Sequence, residues 1–240
     1  MSRFYAPIFI NEKSSFALDR AQSRHLRNVL RLKPGDEIRV FDGKGNEFLC
    51  LVGEFENAKS LSIIRVIKQI EASSVESPLD FSLAVALLKG AKFDLVIQKA
   101  TELGVSNLIP ILSHRSEVKL KNPENKLERW RKIIIESSKQ CGRAKLMEIC
   151  EPTEFNDFME SAEGETFLFS EKDGDSFASI KSSKRITAVV GPEGGWDDSE
   201  IEIARKNNFQ IITLGGRILR AETAAISVTS ILQHTFGDLN

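Results

Sequence analysis

Two glycine-bearing turns in the last third of the chain hold the residue types most suited to chemistry: Gly191-Pro-Glu-Gly-Gly195 and Leu214-Gly-Gly-Arg-Ile-Leu-Arg-Ala-Glu-Thr223. Glycine lets a backbone turn sharply, or approach a ligand, where a Cβ would clash. The second turn adds Arg217, Arg220 and Glu222, charged groups able to meet charge that develops in a reaction. Neither turn is a standard nucleotide signature, because G-x-x-x-x-G-K-[ST] and G-x-G-x-x-G are both missing. The spacing therefore says ligand without saying which.

Each turn follows a short, β-branched, nearly uncharged run, 186–190 and 210–214, as expected of parallel strands covered on both faces. Each also precedes a helix. The first begins near Asp197-Asp-Ser-Glu200, whose side chains suit a helix N-terminus; the second runs from about Glu222 to Gln233, with Ile226, Thr229 or Ser230, and Gln233 on one stripe. Two such units in succession place both turns at the carboxyl edge of one sheet, where open α/β proteins bind ligands. The alternative is a pair of ordinary tight connections. Upstream, 81–88 reads as a buried strand, and Lys89-Gly-Ala-Lys92 leads into a helix ending at Gly104. Residues 107–112 form the next strand, with Pro110 predicting an edge position or a bulge. A long helix then opens at Asn122-Pro123 and buries Leu127, Trp130, Ile134 and Cys141. A short strand, 166–171, ends in the carboxylate of Glu171.

Residues 1 to about 72 alternate charged and apolar positions with turn chemistry between, as in 37–41, Asp42-Gly-Lys-Gly-Asn46, 47–52 and 61–67, which predicts a small β-barrel or sandwich. The opening run 1–10 reads as a strand and not a signal peptide, because Pro7 breaks it and no small-residue cleavage site follows. The polar, Pro-terminated segment 71–78 reads as a linker. Within the β region, a helix over 19–32 would align Arg20, Arg24, Arg27 and Arg31 on one face, with Leu26, Val29, Leu30 and Leu32 as apolar contacts. That stripe is either a phosphate-binding surface or a solvated face with carboxylate partners elsewhere. Arg115, Lys119, Lys121 and Arg143 are further basic groups that could extend it.

The chain resembles the RsmE family of ribosomal RNA methyltransferases of the SPOUT superfamily. The matching residues are 191–196 and 214–224, Gln98-Lys-Ala-Thr-Glu-Leu-Gly-Val105, Glu128-Arg-Trp-Arg-Lys-Ile133 and Gln140-Cys-Gly-Arg143. The resemblance implies an α/β fold in two domains: a PUA-like, RNA-binding β-barrel over 1–72 and a trefoil-knotted SPOUT domain over 73–240. It implies S-adenosyl-L-methionine as cofactor, held by Leu168, Phe169, Gly191, Gly195, Leu214, Gly215, Gly216, Ile218, Leu219 and Ala224. The implied reaction is methylation of uridine N3 in 16S rRNA, within the small ribosomal subunit, by a homodimer. The N3 proton must then leave, so Arg220 is expected to stabilise the resulting negative charge and Glu193 to serve as a base. Glu222, in a first helical turn, fits capping better. RNA contact is expected from Arg20, Arg24, Arg27, Arg31, Arg115 and Arg217.

Composition sets limits on these expectations. A net charge of -1 excludes wholesale coating of nucleic acid, so an RNA site must be a local patch. Cys50, Cys141 and Cys150, at no metal-like spacing, read as buried thiols of a reducing compartment, and the three histidines form no metal set. No apolar run approaches the roughly 18 residues of a membrane helix, which points to a cytoplasmic protein. Two other functions stay open on the residues alone: methylation of another rRNA or tRNA nucleotide, and a non-catalytic RNA-binding assembly factor.

Overall fold

In the N-terminal part of the chain, apolar side chains alternate with polar ones, and the strands follow that alternation. The structure is a computed structural model describing residues 1–7, 14–55, 61–116, 118, 122–172, 174–181 and 184–240. The chain divides into two compact units: Met1–Val75 with Ser138–Leu146, and Glu76–Ser137 with Met147–Asn240.

In the first unit, strands β1 (Arg3–Tyr5), β2 (Ser15–Ala17), β3 (Glu37–Phe41), β4 (Glu47–Val52) and β5 (Ile63–Ile70) form one sheet in the order β1-β3-β4-β5-β2. β1 runs parallel to β3 and the other pairs are antiparallel. The alternating residues Ile38, Val40, Phe48, Cys50, Ile64 and Val66 enclose a core that also takes in Leu26. Burial pushes the Cys50 thiol up to about 12, so it is inert; Cys150, expected to be buried, is exposed.

The helix expected over 19–32 is broken. Helix α1 (Arg20–Arg24), capped by the Asp19 side chain, passes into a π-helical turn, His25–Val29, and Arg31 lies beyond it at φ 55°. A π turn is wider than an α turn, so the four arginines do not share one face. Arg20 and Arg24 remain one α turn apart and exposed, whereas the Arg27 guanidinium stacks 5.5 Å over the Phe55 ring. Of the expected apolar contacts, Leu26 is fully buried, but Val29 is 64% and Leu30 38% exposed.

A buried carboxylate organises this unit. Glu47, with no solvent exposure, accepts hydrogen bonds from Arg3 Nε at 2.9 Å and from the amide and hydroxyl of Ser73 at 2.7 and 3.1 Å. Arg3 also donates to the Ser138 carbonyl at 2.6 Å and the Arg143 carbonyl at 3.3 Å. One ion pair thereby joins β1, β4, the segment after β5 and the 138–146 stretch. Arg143, a surface cation by its sequence pattern, is in fact buried.

The second unit contains a parallel sheet of β6 (Asp80–Ala86), β7 (Asn107–Leu112), β8 (Glu148–Ile149), β9 (Thr153–Glu154), β10 (Glu165–Ser170), β11 (Asp175–Ser176), β12 (Arg185–Val190) and β13 (Gln210–Thr213). The order is β11-β13-β10-β12-β6-β7-β8, with β9 also paired to β7. Pro110 is therefore interior and not at an edge. It is tolerated because β8 pairs with 107–108 and β9 with 111–112. Leu108 O accepts from Cys150 N and Ile111 O from Leu87 N, so even-numbered residues bond toward β8 and β9, and proline's missing donor faces the gap between them.

Helices α2 (Lys92–Glu102), α3 (Pro123–Cys141), α4 (Phe155–Ser161), α5 (Asp198–Lys206) and α6 (Ala221–Phe236) accompany these strands. Leu127, Trp130 and Ile134 are buried as expected, with Trp130 against Phe93 at 4.9 Å, whereas Cys141 at the end of α3 is only half-buried. The buried residues of α6 are Ala221, Ala225, Val228, Thr229, Leu232 and Gln233, so Thr229 and Gln233 are buried as expected while Ile226 is only half-buried. Among the described residues, no helix is long and apolar enough to cross a membrane.

Removing one partner of a buried ion pair leaves the other uncompensated, at a cost of about 3–5 kcal/mol. Glu47→Ala is expected to lower the stability of the first unit by that amount in denaturant unfolding. A loss below about 1 kcal/mol would show that Glu47 does not organise it.

Candidate active site

Because β10, β12 and β13 are parallel neighbours, the turns that follow them emerge at the same edge of the sheet. With the strand ends they enclose a cleft of about 380 Å³, bounded by 169–171 at the end of β10, by 190–193 with Gly195 and Trp196 at the end of β12 and in the turn beyond it, and by Leu214 with 217–221 after β13. Ala224 of α6 and Lys92 at the start of α2 complete the wall.

The turns are held together by Trp196. Its indole Nε1 donates to the Phe169 carbonyl at 2.9 Å, joining the β12 turn to the end of β10, and its ring packs 5.3 Å from that of Phe155. A Cβ on Gly191 would stand 2.9 Å from the indole, closer than real contacts allow, so the first glycine of the turn makes room for the tryptophan. Gly195 takes φ 68°, and its amide closes the turn on the Pro192 carbonyl at 3.0 Å.

The far side of this turn is fixed by α5. Asp197 and Glu200 form a capping box, and Glu200, although buried, also accepts from the His114 amide at 2.9 Å. Arg115 donates to the Gly194 carbonyl at 3.2 Å and pairs with Asp197 at 3.0 Å. Hydrogen bonds from Ser199, then the Arg115 guanidinium, hold the Asp197 carboxyl below its usual range.

Glu193 is likewise engaged. Its carboxylate meets the Lys92 ammonium at 2.9 Å. Partial burial alone would raise its pKa, but the bonds from Lys92 and from the backbone amides of Glu193 and Lys89 outweigh it and hold it below the usual value. A depressed carboxylate stabilises the fold above its unfolded pKa, and that contribution is lost only as pH falls through the folded value. At neutral pH the tie between α2 and the turn is therefore intact.

Among the residues expected from sequence, the cleft brings together Phe169, Gly191, Glu193, Gly195, Leu214 and Ala224 with the run Arg217, Ile218, Leu219 and Arg220. Leu168 lies instead in the core, fully buried against Val189 and Trp196, because strand alternation turns it away from the turn. Gly215 and Gly216 are exposed and outside the lining. Lys92, Ser170, Glu171, Val190, Pro192, Trp196 and Ala221 line the cleft beyond the expected set. Alternation along 186–190 could have exposed Val190, whereas Lys92 is distant in sequence and its place depends on the strand order. Arg20, Arg24, Arg27 and Arg31 belong to the first unit, and Lys119 and Lys121 lie outside the described residues. No group of three or more metal-binding side chains occurs among the described residues.

The family profile described as RNA methyltransferase domain matches residues 75–233, and that described as RNA methyltransferase PUA domain matches 18–63. A ribosomal RNA small subunit methyltransferase E from Mesomycoplasma hyopneumoniae is 38% identical over 223 residues, covering 91% of this chain and 94% of that one. The crystal structure of a ribosomal RNA small subunit methyltransferase E from Neisseria gonorrhoeae, bound to S-adenosyl methionine, has a TM-score of 0.92 at 31% identity and covers all of both chains. A putative methyltransferase from Legionella pneumophila, in complex with the same cofactor, has a TM-score of 0.93 at 31% identity, covering 99% of this chain and 98% of that one.

Steric overpacking costs about 1–3 kcal/mol, so Gly191→Ala is expected to destabilise the second unit by that much. Gly216→Ala, whose Cβ would meet nothing within 4 Å, should stay within about 0.5 kcal/mol of the parent. Equal losses in thermal unfolding would remove the packing against Trp196 as the reason for glycine at 191.

Proposed function

Because this chain belongs to the RNA methyltransferase family that includes the ribosomal RNA small subunit methyltransferases E, we propose that it methylates N3 of a uridine in 16S ribosomal RNA. It is an S-adenosylmethionine-dependent enzyme with a SPOUT α/β domain and an N-terminal PUA-like domain. The observation that carries the proposal is the convergence of three strand-end turns, one bearing two arginines, on a single cleft.

The cleft suits the cofactor. Its volume of about 380 Å³ falls in the range of small-molecule sites. Phe169, Val190, Ile218 and Leu219 offer apolar surface, and Ile218 is 80% exposed despite its character, which makes sense for a residue that meets an adenine ring. When bound, the cofactor supplies a sulfonium methyl group already activated toward nucleophiles. The protein's task is then to align the reacting groups and manage the charge left on uracil as N3 loses its proton.

Arg220 suits that second task. It is exposed and occupies the N-cap of α6 without a side-chain capping bond, and no hydrogen bond or ion pair engages its guanidinium among the described residues. The helix dipole disfavours a cation at this end, so its placement is better explained by substrate than by helix stability. Arg217 lines the same wall as a second cation. Glu193, depressed and bound to Lys92, makes a weak base; we assign it to holding the turn against α2, with the N3 proton passing to solvent.

For the first unit we assign RNA contact to Arg20 and Arg24, which are exposed one α turn apart, while Arg27, stacked on Phe55, and Arg31, beyond the π turn, lie off that face. Arg115, already committed to Gly194 and Asp197, positions the turn and contributes charge at its edge. Helix α6 carries no charged side chain between Glu222 and His234, although Ile226 and Ile231 are only half-buried. A second copy of the chain is the partner we assign to that face, and the assembly acts on the small subunit in the cytoplasm.

Arg220→Ser separates stability from activity. A serine N-cap should raise the melting temperature slightly, gaining about 0.5–2 kcal/mol, while methylation of 16S rRNA falls about 100-fold or more and cofactor affinity stays near the parent's. Normal turnover would refute the role of Arg220, and mapping the methylated nucleotide tests the substrate. Glu193→Gln should leave the shape of the pH–rate profile unchanged, whereas loss of an inflection would restore Glu193 as the base. Reversing Arg20 and Arg24 to Glu should weaken RNA binding and flatten its salt dependence by about one unit for each phosphate no longer neutralised; unchanged affinity would show that this surface does not meet RNA.

A further inference from the structure

Glu171 closes the cleft at the end of β10, yet neither methyl transfer nor the scaffold uses it. It is exposed, and no hydrogen bond or ion pair engages it among the described residues. Its two carboxylate oxygens lie 3.4 and 3.6 Å from where a Cβ on Gly195 would stand, so the group rests along the backbone of the β12 turn. The same residue also borders a smaller hollow of about 260 Å³ beside α5. The other carboxylate in the cleft wall, Glu193, is bound to Lys92. Glu171 is thus the lining carboxylate with both acceptors open.

We propose that Glu171 accepts hydrogen bonds from the ribose hydroxyls of the cofactor and makes the site selective for ribose over deoxyribose. The proposal rests on the cleft being the S-adenosylmethionine site. An acidic side chain near the carboxyl end of a parallel strand is placed to receive the hydroxyls of a nucleoside entering between strand-end turns. A carboxylate offers two acceptors to a vicinal diol, and charge-assisted hydrogen bonds of this kind are strong. The cofactor's amino-acid end fits less well here, because it carries its own carboxylate and needs a cation. The cations of the cleft wall, Lys92, Arg217 and Arg220, stand on other segments.

The test is calorimetric binding to the parent protein, Glu171→Ala and Glu171→Gln. The ligands are S-adenosylmethionine, S-adenosylhomocysteine and the 2′-deoxyribose analogue of S-adenosylhomocysteine. The parent is expected to bind both ribose ligands about 10- to 100-fold more tightly than the deoxy analogue. Glu171→Ala should lose affinity for the two ribose ligands by the same factor and retain little preference between ribose and deoxyribose. Glu171→Gln, which keeps one acceptor oxygen, should fall between. An intact ribose preference in Glu171→Ala, or a loss confined to S-adenosylmethionine, would overturn the proposal, the latter by assigning Glu171 to the sulfonium. If the parent binds none of the three ligands, the cofactor reading itself fails and takes this inference with it. Since Glu171 is exposed, ligand-free melting temperatures should match across the three proteins, which separates binding from folding.

Discussion

The Trp196 indole, donating to the Phe169 carbonyl while packed on Gly191, is the interaction on which the cleft depends. It joins the end of β10 to the turn after β12, beyond Phe169 and Val190, the last pair of the two strands. Both the hydrogen bond and the ring packing are buried, where an unpaired donor is costly. The turn is consequently rigid at its base while its outer residues, Glu193 and Gly194, remain at the surface. Rigid support beneath exposed functional groups is what a site needs if it is to align two reactants.

Electrostatics follow a similar division. Carboxylates that stabilise the scaffold are matched: Glu47 by Arg3 and Ser73, Glu200 by two backbone amides, Glu193 by Lys92, Asp197 by Arg115. Among the described residues, the groups left unmatched at the cleft are Arg217, Arg220 and Glu171, each on the wall where a ligand would stand. Arg220 is placed against the helix dipole, and Glu171 is left without a partner among the described residues. The first placement costs the fold something that a ligand recovers; the second costs it nothing, since Glu171 is exposed to water.

The strands around the cleft are legible in the sequence because uncharged, β-branched runs bounded by glycine have few alternatives: 186–190 and 107–112 match the observed strands nearly to the residue. Glycine turns placed after those runs also locate most of the cleft wall. Elsewhere, local pattern is a poorer guide. The π turn at His25–Val29 leaves no trace in apolar spacing, so a single arginine stripe, with Val29 and Leu30 inside, is expected where none forms. Pro110 looks like an edge residue because the interruption between β8 and β9 that accommodates it depends on segments some forty residues downstream. Lys92 and Glu193 meet only through the order of strands in the sheet, which spacing along the chain does not reveal. Leu168 is expected in the cleft from the family resemblance, yet the alternation of side chains along its strand puts it in the core.

The most direct check on the three-turn cleft is a crystal of this protein soaked with S-adenosylhomocysteine. Difference density for the nucleoside is expected between Phe169, Gly191 and Leu214, with the Trp196 indole still bonded to the Phe169 carbonyl. Density at another place on the molecule, or turns rearranged so that side chains fill the cleft, would contradict it.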